Sequence, residues 1–375
     1  MPEPRPALAR PLRIAMVAPG RGATGGQETQ ASTLEDRLRA DGHRVRRIPI
    51  DPAPPASLQW VRDVRYARTL LNEALYCRSL PALRDADVVH VFSASYWSFL
   101  LAPLPALLAG RLFGRRLVLH YHSGEAEEHL RRWGMLVHPW LRLADTLVVP
   151  SLYLREVFAA HGYQTRLIPN VIETERFRFR SRVPLQPRFV STRNLDAGYR
   201  VDVTLRAFAL LRERFPDATL LVAGCGREED RLRALASDLG GQGIRFLGAL
   251  DRAHMPQLLD RSDVLLNASV VDNQPVSILE AFASGLSVVT TAPGDLRHMV
   301  RDGETGSVVP PGDPRAMAAA AEALLTNPDR AARIAARARR EAERHAWSAV
   351  RDDWMRAYGR PPERAAAAGA AGAAA

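Results

Sequence analysis

The run Asn267-Ala-Ser-Val-Val-Asp272-Asn273-Gln-Pro-Val276-Ser277-Ile-Leu-Glu280 closes an apolar stretch, crosses a polar loop and enters a helical pattern. That places Asp272 in a loop past the C-terminal end of a strand and Glu280 in the first turn of the helix, where free backbone N–H groups point. Carboxylates beside N–H donors suit a ligand that carries several hydroxyls and a phosphate. A purely local reading is equally open: Ser277-x-x-Glu280 has the spacing of a capping box, which accounts for Glu280 without a ligand.

Four other constellations lie at strand-to-helix turns. Gly20-Arg-Gly-Ala-Thr-Gly25-Gly26 follows the first apolar run and precedes a helical one. Such glycines let a backbone approach an anion at a helix N-terminus. His120-Tyr-His122-Ser-Gly-Glu125 ends another strand; its two histidines share a face, but no third or fourth metal ligand stands at an ordered spacing. Arg193 follows a third strand, where it can clamp a phosphate or simply pair with Asp196. Gly224-Cys-Gly226 follows a fourth and reads either as a phosphate turn or as a tight connection. Asp85-Ala-Asp87 has the form of a metal motif but precedes its strand, so it reads as a turn.

All 51 basic residues of the 375 are arginine, against 41 acids, for a net charge of +10. With no lysine, a G-x-x-x-x-G-K phosphate loop and a lysine Schiff base are both excluded, and any phosphate must be met by Arg or backbone. Residues 1–180 hold 25 Arg and 17 acids, a net of +8. An anionic membrane is one partner for such a half, particularly beside Tyr96, Trp97, Phe99, Phe113, Arg111, Arg115 and Arg116. Nucleic acid is not expected, because aromatics are not interleaved with the basic residues. Two cysteines exclude a disulfide framework. The longest apolar stretch, residues 96–110, contains two prolines and is shorter than the ~20 residues of a spanning helix; no secretory signal is visible, and the expectation is a cytoplasmic protein.

Short β-branched runs alternate with helical patterns, six in each half of the chain. The first half holds 14–19, 45–50, 88–92, 117–122, 147–150 and 166–169; the second holds 188–191, 220–223, 244–247, 264–267, 287–290 and 307–309. This predicts an α/β protein of two doubly wound domains. The boundary falls near 170–187, which has neither helical nor strand period, and the Ala/Gly-rich stretch after residue 361 is expected to be disordered.

In order along residues 12–360, these motifs resemble the retaining glycosyltransferases of family 4, the group 1 family. The resemblance rests on the Asp272…Glu280-Ala segment, Leu286-Ser-Val-Val, Gly25-Gly26, His122, Ile168-Pro-Asn170-Val and the Trp347…Trp354…Tyr358 helix. It implies a GT-B architecture of two Rossmann-like domains facing across a cleft. Residues 1–169 would bind the acceptor, 170–187 would link, 188–345 would bind a nucleotide-sugar donor, and 346–360 would return to the first domain ahead of a 361–375 tail. The acceptor would be a glycan, a lipid-linked sugar or a small molecule. The donor's anomeric configuration would be retained, with no cofactor or metal. By position, Glu280 would hold the ribose, Asp272 would face the sugar, Arg193 would neutralise the diphosphate under the Gly25-Gly26 backbone, and His122 would sit near the reacting carbon. Gly224, Gly226, Asn273, Val276 and Ser277 would complete the donor site, and Glu125 would join His122 on the acceptor side. Two departures stand out. The family's second phosphate cation, a Lys, is Gly198 here, leaving Arg200 as the substitute, and the first acid is Asp rather than Glu. A GT-B shell without turnover, or another GT-B enzyme such as a nucleotide-sugar epimerase, is the alternative.

Overall fold

A computed structural model of the chain describes residues 10–22, 25–64 and 66–359. The tail assigned above to residues 361–375, and Thr24 in the glycine-rich turn, lie outside them. All twelve expected strands form, with ends moved by no more than two residues. They are β1 (Arg13–Ala18), β2 (Arg44–Pro49), β3 (Val88–Ser93), β4 (Arg116–Tyr121), β5 (Thr146–Val149), β6 (Arg166–Leu167), β7 (Arg188–Ser191), β8 (Thr219–Ala223), β9 (Ile244–Gly248), β10 (Val264–Asn267), β11 (Ser287–Thr290) and β12 (Ser307–Val308). Runs such as Val88–Ser93 and Val264–Asn267 are buried at every position, because helices cover both faces of each sheet.

The strands make two six-stranded sheets, and every strand pair is parallel. The first has the order β2-β1-β3-β4-β5-β6 and the second β12-β11-β10-β7-β8-β9. This is the two-domain α/β GT-B fold. In each sheet the winding reverses once, between β1 and β3 and between β7 and β10. Ligands of such sheets bind in the crevice at the carboxyl ends of the strands flanking the reversal. The Gly25-Gly26 turn follows β1, Arg193 follows β7, and Asp272 follows β10.

Helix Trp347–Ala357 packs on the first sheet although it follows the second in sequence. Val350, Trp354 and Met355 join Ile14, Met16, Val118 and Val148 in one core, and Tyr358 hydrogen-bonds His90 on β3 at 2.9 Å. The segment after β6 is tied to this return by Ile172 N–H donating to His345 O at 2.9 Å. No helix among the described residues is long and apolar enough to cross a membrane.

Candidate active site

A cleft of about 980 Å³ opens between the two sheets, lined by the turns that follow β1, β4, β7, β8, β9 and β10. It brings together Gly25, Gly26, His122, Glu125, Arg193, Gly224, Asp272, Asn273, Val276, Ser277 and Glu280. Its size is at the upper end of the range for small-molecule and cofactor sites.

Arg193 is held by three neighbours within it. Its guanidinium donates to Asp272 Oδ2 at 2.7 Å and Ser277 Oγ at 3.1 Å and lies 4.4 Å over the ring of Tyr199. Its Nε is buried without a partner. The turn after β8 supports it from behind. Gly224 has φ 154°, and a Cβ there would lie 2.2 Å from the carbonyl oxygen of Arg193, so only glycine lets the two turns touch. Opposite, Gly25 is the N-cap of helix Gly26–Ala40 at φ 128° and supplies no side-chain cap, leaving the first N–H groups to face the cleft.

Helix Val276–Ser284 begins two residues earlier than the capping-box reading requires. Pro275 is its N-cap, no side chain caps it, and Ser277 instead receives the Arg193 guanidinium. Glu280 therefore stands in the second turn, not the first. Its carboxyl makes no hydrogen bond or ion pair among the described residues. Loss of water pushes its pKa up to about 7, with Arg252 and Arg176 pulling the other way.

His122 lies just past β4, stacked on Phe92 at 5.1 Å and 3.9 Å from the ring of His120. Burial pushes its pKa down to about 3, so the imidazole is neutral near pH 7. His120 points into the core, where its Nδ1 meets His90 Nε2 at 3.3 Å. The His-x-His pair is thus a packed, neutral stack. Glu125 accepts from Ser95 Oγ at 3.2 Å at the rim.

Two expected donor residues are not brought to the cleft. Arg200 has a left-handed backbone, φ 48°, and its guanidinium pairs with Asp202 at 3.0 and 3.2 Å, two residues along at the start of the next helix. The position of the absent Lys, Gly198, contributes only a carbonyl that accepts from Val270 N–H. Gly226 serves packing: a Cβ there would lie 2.3 Å from Leu195 O. Asp87 is also accounted for, since it pairs with Arg13 at 2.7 Å at the far end of the first sheet.

Sequence reasoning missed Arg252, which lines the cleft just beyond β9. It reaches across to Thr33 Oγ1 at 2.9 Å and Glu173 Oε2 at 2.5 Å. Its position past a strand end was the available signal.

Comparison with known proteins agrees with this geometry. Residues 24–176 match the model described as Glycosyltransferase Family 4, and residues 173–341 match Glycosyl transferases group 1. The chain is 28% identical over 369 residues to a phosphatidyl-myo-inositol mannosyltransferase of Mycobacterium leprae, covering 92% of this chain and 96% of that one. It is 32% identical over 302 residues to a GDP-mannose-dependent alpha-(1-6)-phosphatidylinositol monomannoside mannosyltransferase of Mycolicibacterium smegmatis, covering 72% and 76%. Similar solved structures include sucrose-phosphate synthase of Thermosynechococcus elongatus, with a TM-score of 0.73 at 19% identity over 92% of this chain and 98% of that one. Anabaena HepE in complex with UDP gives 0.70 at 19% identity over 92% and 99%. These two likenesses speak to the fold. The chain belongs to the group 1, family 4 glycosyltransferases and is a nucleotide-sugar-dependent transferase of GT-B fold.

Proposed function

We propose that the protein moves a sugar from a nucleoside-diphosphate donor to an acceptor with retention of anomeric configuration, without a metal ion, and that the acceptor is presented at an anionic membrane surface. The observation that carries the reading is the caged Arg193, set at the winding reversal of the second sheet and facing the uncapped helix at Gly25.

Breaking the bond between the anomeric carbon and the phosphate oxygen leaves an oxocarbenium-like sugar and a diphosphate of greater negative charge. Arg193 and the N–H groups after Gly25 are fixed before the reaction, so they stabilise the leaving group more than the ground state. The departing oxygen can take the acceptor's proton while the acceptor oxygen bonds the carbon from the same face, which retains configuration and needs no separate base. Neutral His122 adds no positive charge beside the cationic sugar. Asp272 holds Arg193 and faces the sugar. Cation charge from Arg193 takes the place a metal would fill at the phosphates.

Glu280 is assigned to the ribose hydroxyls, which would donate to the carboxylate. Because its pKa stands at about 7, nucleoside affinity is expected to weaken as pH falls below 7, by up to about tenfold per unit. Titration of nucleoside binding between pH 8 and 6 checks this. Glu280→Gln should bind at least about tenfold more weakly at pH 8 and lose the pH dependence. A Gln variant that binds normally, with a lowered Tm, would return Glu280 to a structural role.

The membrane part rests on apolar side chains that the first domain leaves in solvent. Trp97 is 66% exposed, Leu112 81% and Met135 95%. The aromatic group named from sequence contributes less than expected: Phe99 is fully buried and Phe113 lies under Arg84. Arg115 and Arg116 are turned to the carbonyls of Phe113, Ala86 and Ala357. Both named mannosyltransferase relatives carry phosphatidylinositol acceptors in their names. Co-sedimentation with anionic vesicles at low salt, reduced by Trp97→Ser with Met135→Ser, is the expected result; no binding to such vesicles would remove this part. The second reading is a GT-B shell without turnover, favoured by Gly198 and the turned-away Arg200.

A further inference from the structure

Asn273 lines the cleft, yet both ends of its side-chain amide are used between the domains. Its Oδ1 accepts from Ser151 Oγ at 2.5 Å, and its Nδ2 donates to the carbonyl of His122 at 3.1 Å. Asn273 is 8% exposed and Ser151 is fully buried. Ser151 follows β5 and His122 follows β4, so one side chain of the second domain is anchored on two strand ends of the first. Its own backbone N–H donates to Asp272 Oδ1 at 3.2 Å, while Asp272 Oδ2 holds Arg193 at 2.7 Å. Gly124 completes the contact: a Cβ there would stand 3.2 Å from the carbonyl of Asp272.

We propose that Asn273 is a positioning residue that links the seating of the first domain to the arrangement of Asp272 and Arg193, and that it is not a donor ligand. The inference rests on the reading of Arg193 and Asp272 as groups that act on the donor. Its physical basis is that both partners of the amide belong to the first domain. When the domains part, the peptide between Asp272 and Asn273 loses its anchor, and with it the geometry of the carboxylate that orients Arg193. Nucleoside diphosphate can still bind the second domain in that state, but the chemical step meets a misplaced cation. The acceptor side of the cleft thereby governs the donor's leaving group.

The experiment compares Asn273→Ala, Asn273→Asp, Ser151→Ala and the Ser151→Ala/Asn273→Ala pair in the full chain. Asn273→Asp keeps the shape and the Ser151 bond but sets an acceptor against the His122 carbonyl. Each variant is read by affinity for free nucleoside diphosphate, by kcat with donor and acceptor, and by Tm. The expected result is kcat lowered about tenfold or more, with nucleoside diphosphate affinity lowered by a smaller factor than kcat and by less than in Arg193→Ala, and the double variant no slower than Asn273→Ala alone. Ser151 does not line the cleft, and its direct contact with the site is the Asn273 amide. Ser151 also caps helix Leu152–Ala160 by accepting from Leu154 N–H. Its loss therefore lowers Tm, which kcat at a temperature well below Tm does not register. Weakened nucleoside diphosphate binding in Asn273→Ala with normal kcat in Ser151→Ala would overturn the proposal and make Asn273 a donor ligand. Losses that multiply in the double variant would overturn it as well. If Arg193→Ala leaves nucleoside diphosphate binding unchanged, the underlying reading of the site fails, a result separate from the Ser151–Asn273 coupling.

Discussion

Arg193→Ala is expected to lower kcat by about two to three orders of magnitude, the loss of about 3–4 kcal/mol that follows removal of one preorganised donor at a developing anion. It should also weaken binding of nucleoside diphosphate while leaving the nucleoside alone unaffected. The distinction matters because the guanidinium also neutralises Asp272, whose side chain is 9% exposed. Removing one partner of such a pair leaves an uncompensated carboxylate and destabilises the fold. Arg193→Ala/Asp272→Asn removes that complication; it should recover Tm without recovering affinity for the diphosphate. Arg193→Lys should not restore the rate, since an ammonium cannot reach Asp272, Ser277 and a phosphate as the planar fork does. Equal losses for nucleoside and nucleoside diphosphate, measured by calorimetry, would contradict the assignment.

Acid should unfold the protein well above the pH at which carboxylates usually titrate. Burial pushes His90 down to about 3 and His129 to about 4, and holds His120 well below its ordinary 6.5. In the unfolded chain each of these takes up a proton near pH 6.5, whereas the native state refuses it. Stability is therefore full above pH 6.5 and is lost as pH falls towards the native values, by about 1.4 kcal/mol per pH unit for each histidine. Glu280 acts in the opposite sense, because the native state keeps a proton up to about pH 7 that the unfolded chain has released. With His122, four histidines against one carboxyl leave a slope of about 4 kcal/mol per pH unit between pH 6 and 5. Against a total of about 5–15 kcal/mol that is large. Urea midpoints measured from pH 8 to 5 should be level above 7 and drop steeply below 6. A level profile down to pH 5 would mean that the histidines are solvated.

This stack also shows where sequence is an incomplete guide. His120 and His122 share a strand face, as spacing dictates, but spacing does not say that Phe92 and Trp354 pack on His120, or that Tyr358 bonds the neighbouring His90. Trp354 and Tyr358 arrive on a helix more than 200 residues away. The legible part of the site is the part fixed by local rules. Gly25, His122, Arg193, Asp272 and Glu280 all follow strand ends, and parallel sheets bring strand ends to one side. The twelve strands were legible for the same reason, since runs such as Val88–Ser93 and Val264–Asn267 are apolar on both faces. The illegible part depends on competition between neighbours. Arg200 has an acid two residues away and pairs with it, outside the cleft lining. Ser277 loses the cap position because Pro275 ends the loop, and then serves Arg193. Arg252 and Asn273 find their partners only once the domains face each other, and nothing in their local spacing announces it.

In the proposed reaction this cleft breaks the sugar–phosphate bond of a nucleotide sugar and passes the sugar on with its configuration kept, using arginine and helix N–H groups in place of a metal. NMR of the anomeric proton during turnover, with a panel of nucleotide sugars and lipid-linked acceptors in EDTA, tests it most directly. At least one donor is expected to react at an undiminished rate, giving a product with the donor's own anomeric configuration. A product of inverted configuration, turnover that returns only with Mg²⁺ or Mn²⁺, or a panel of donors that bind and never react would contradict it.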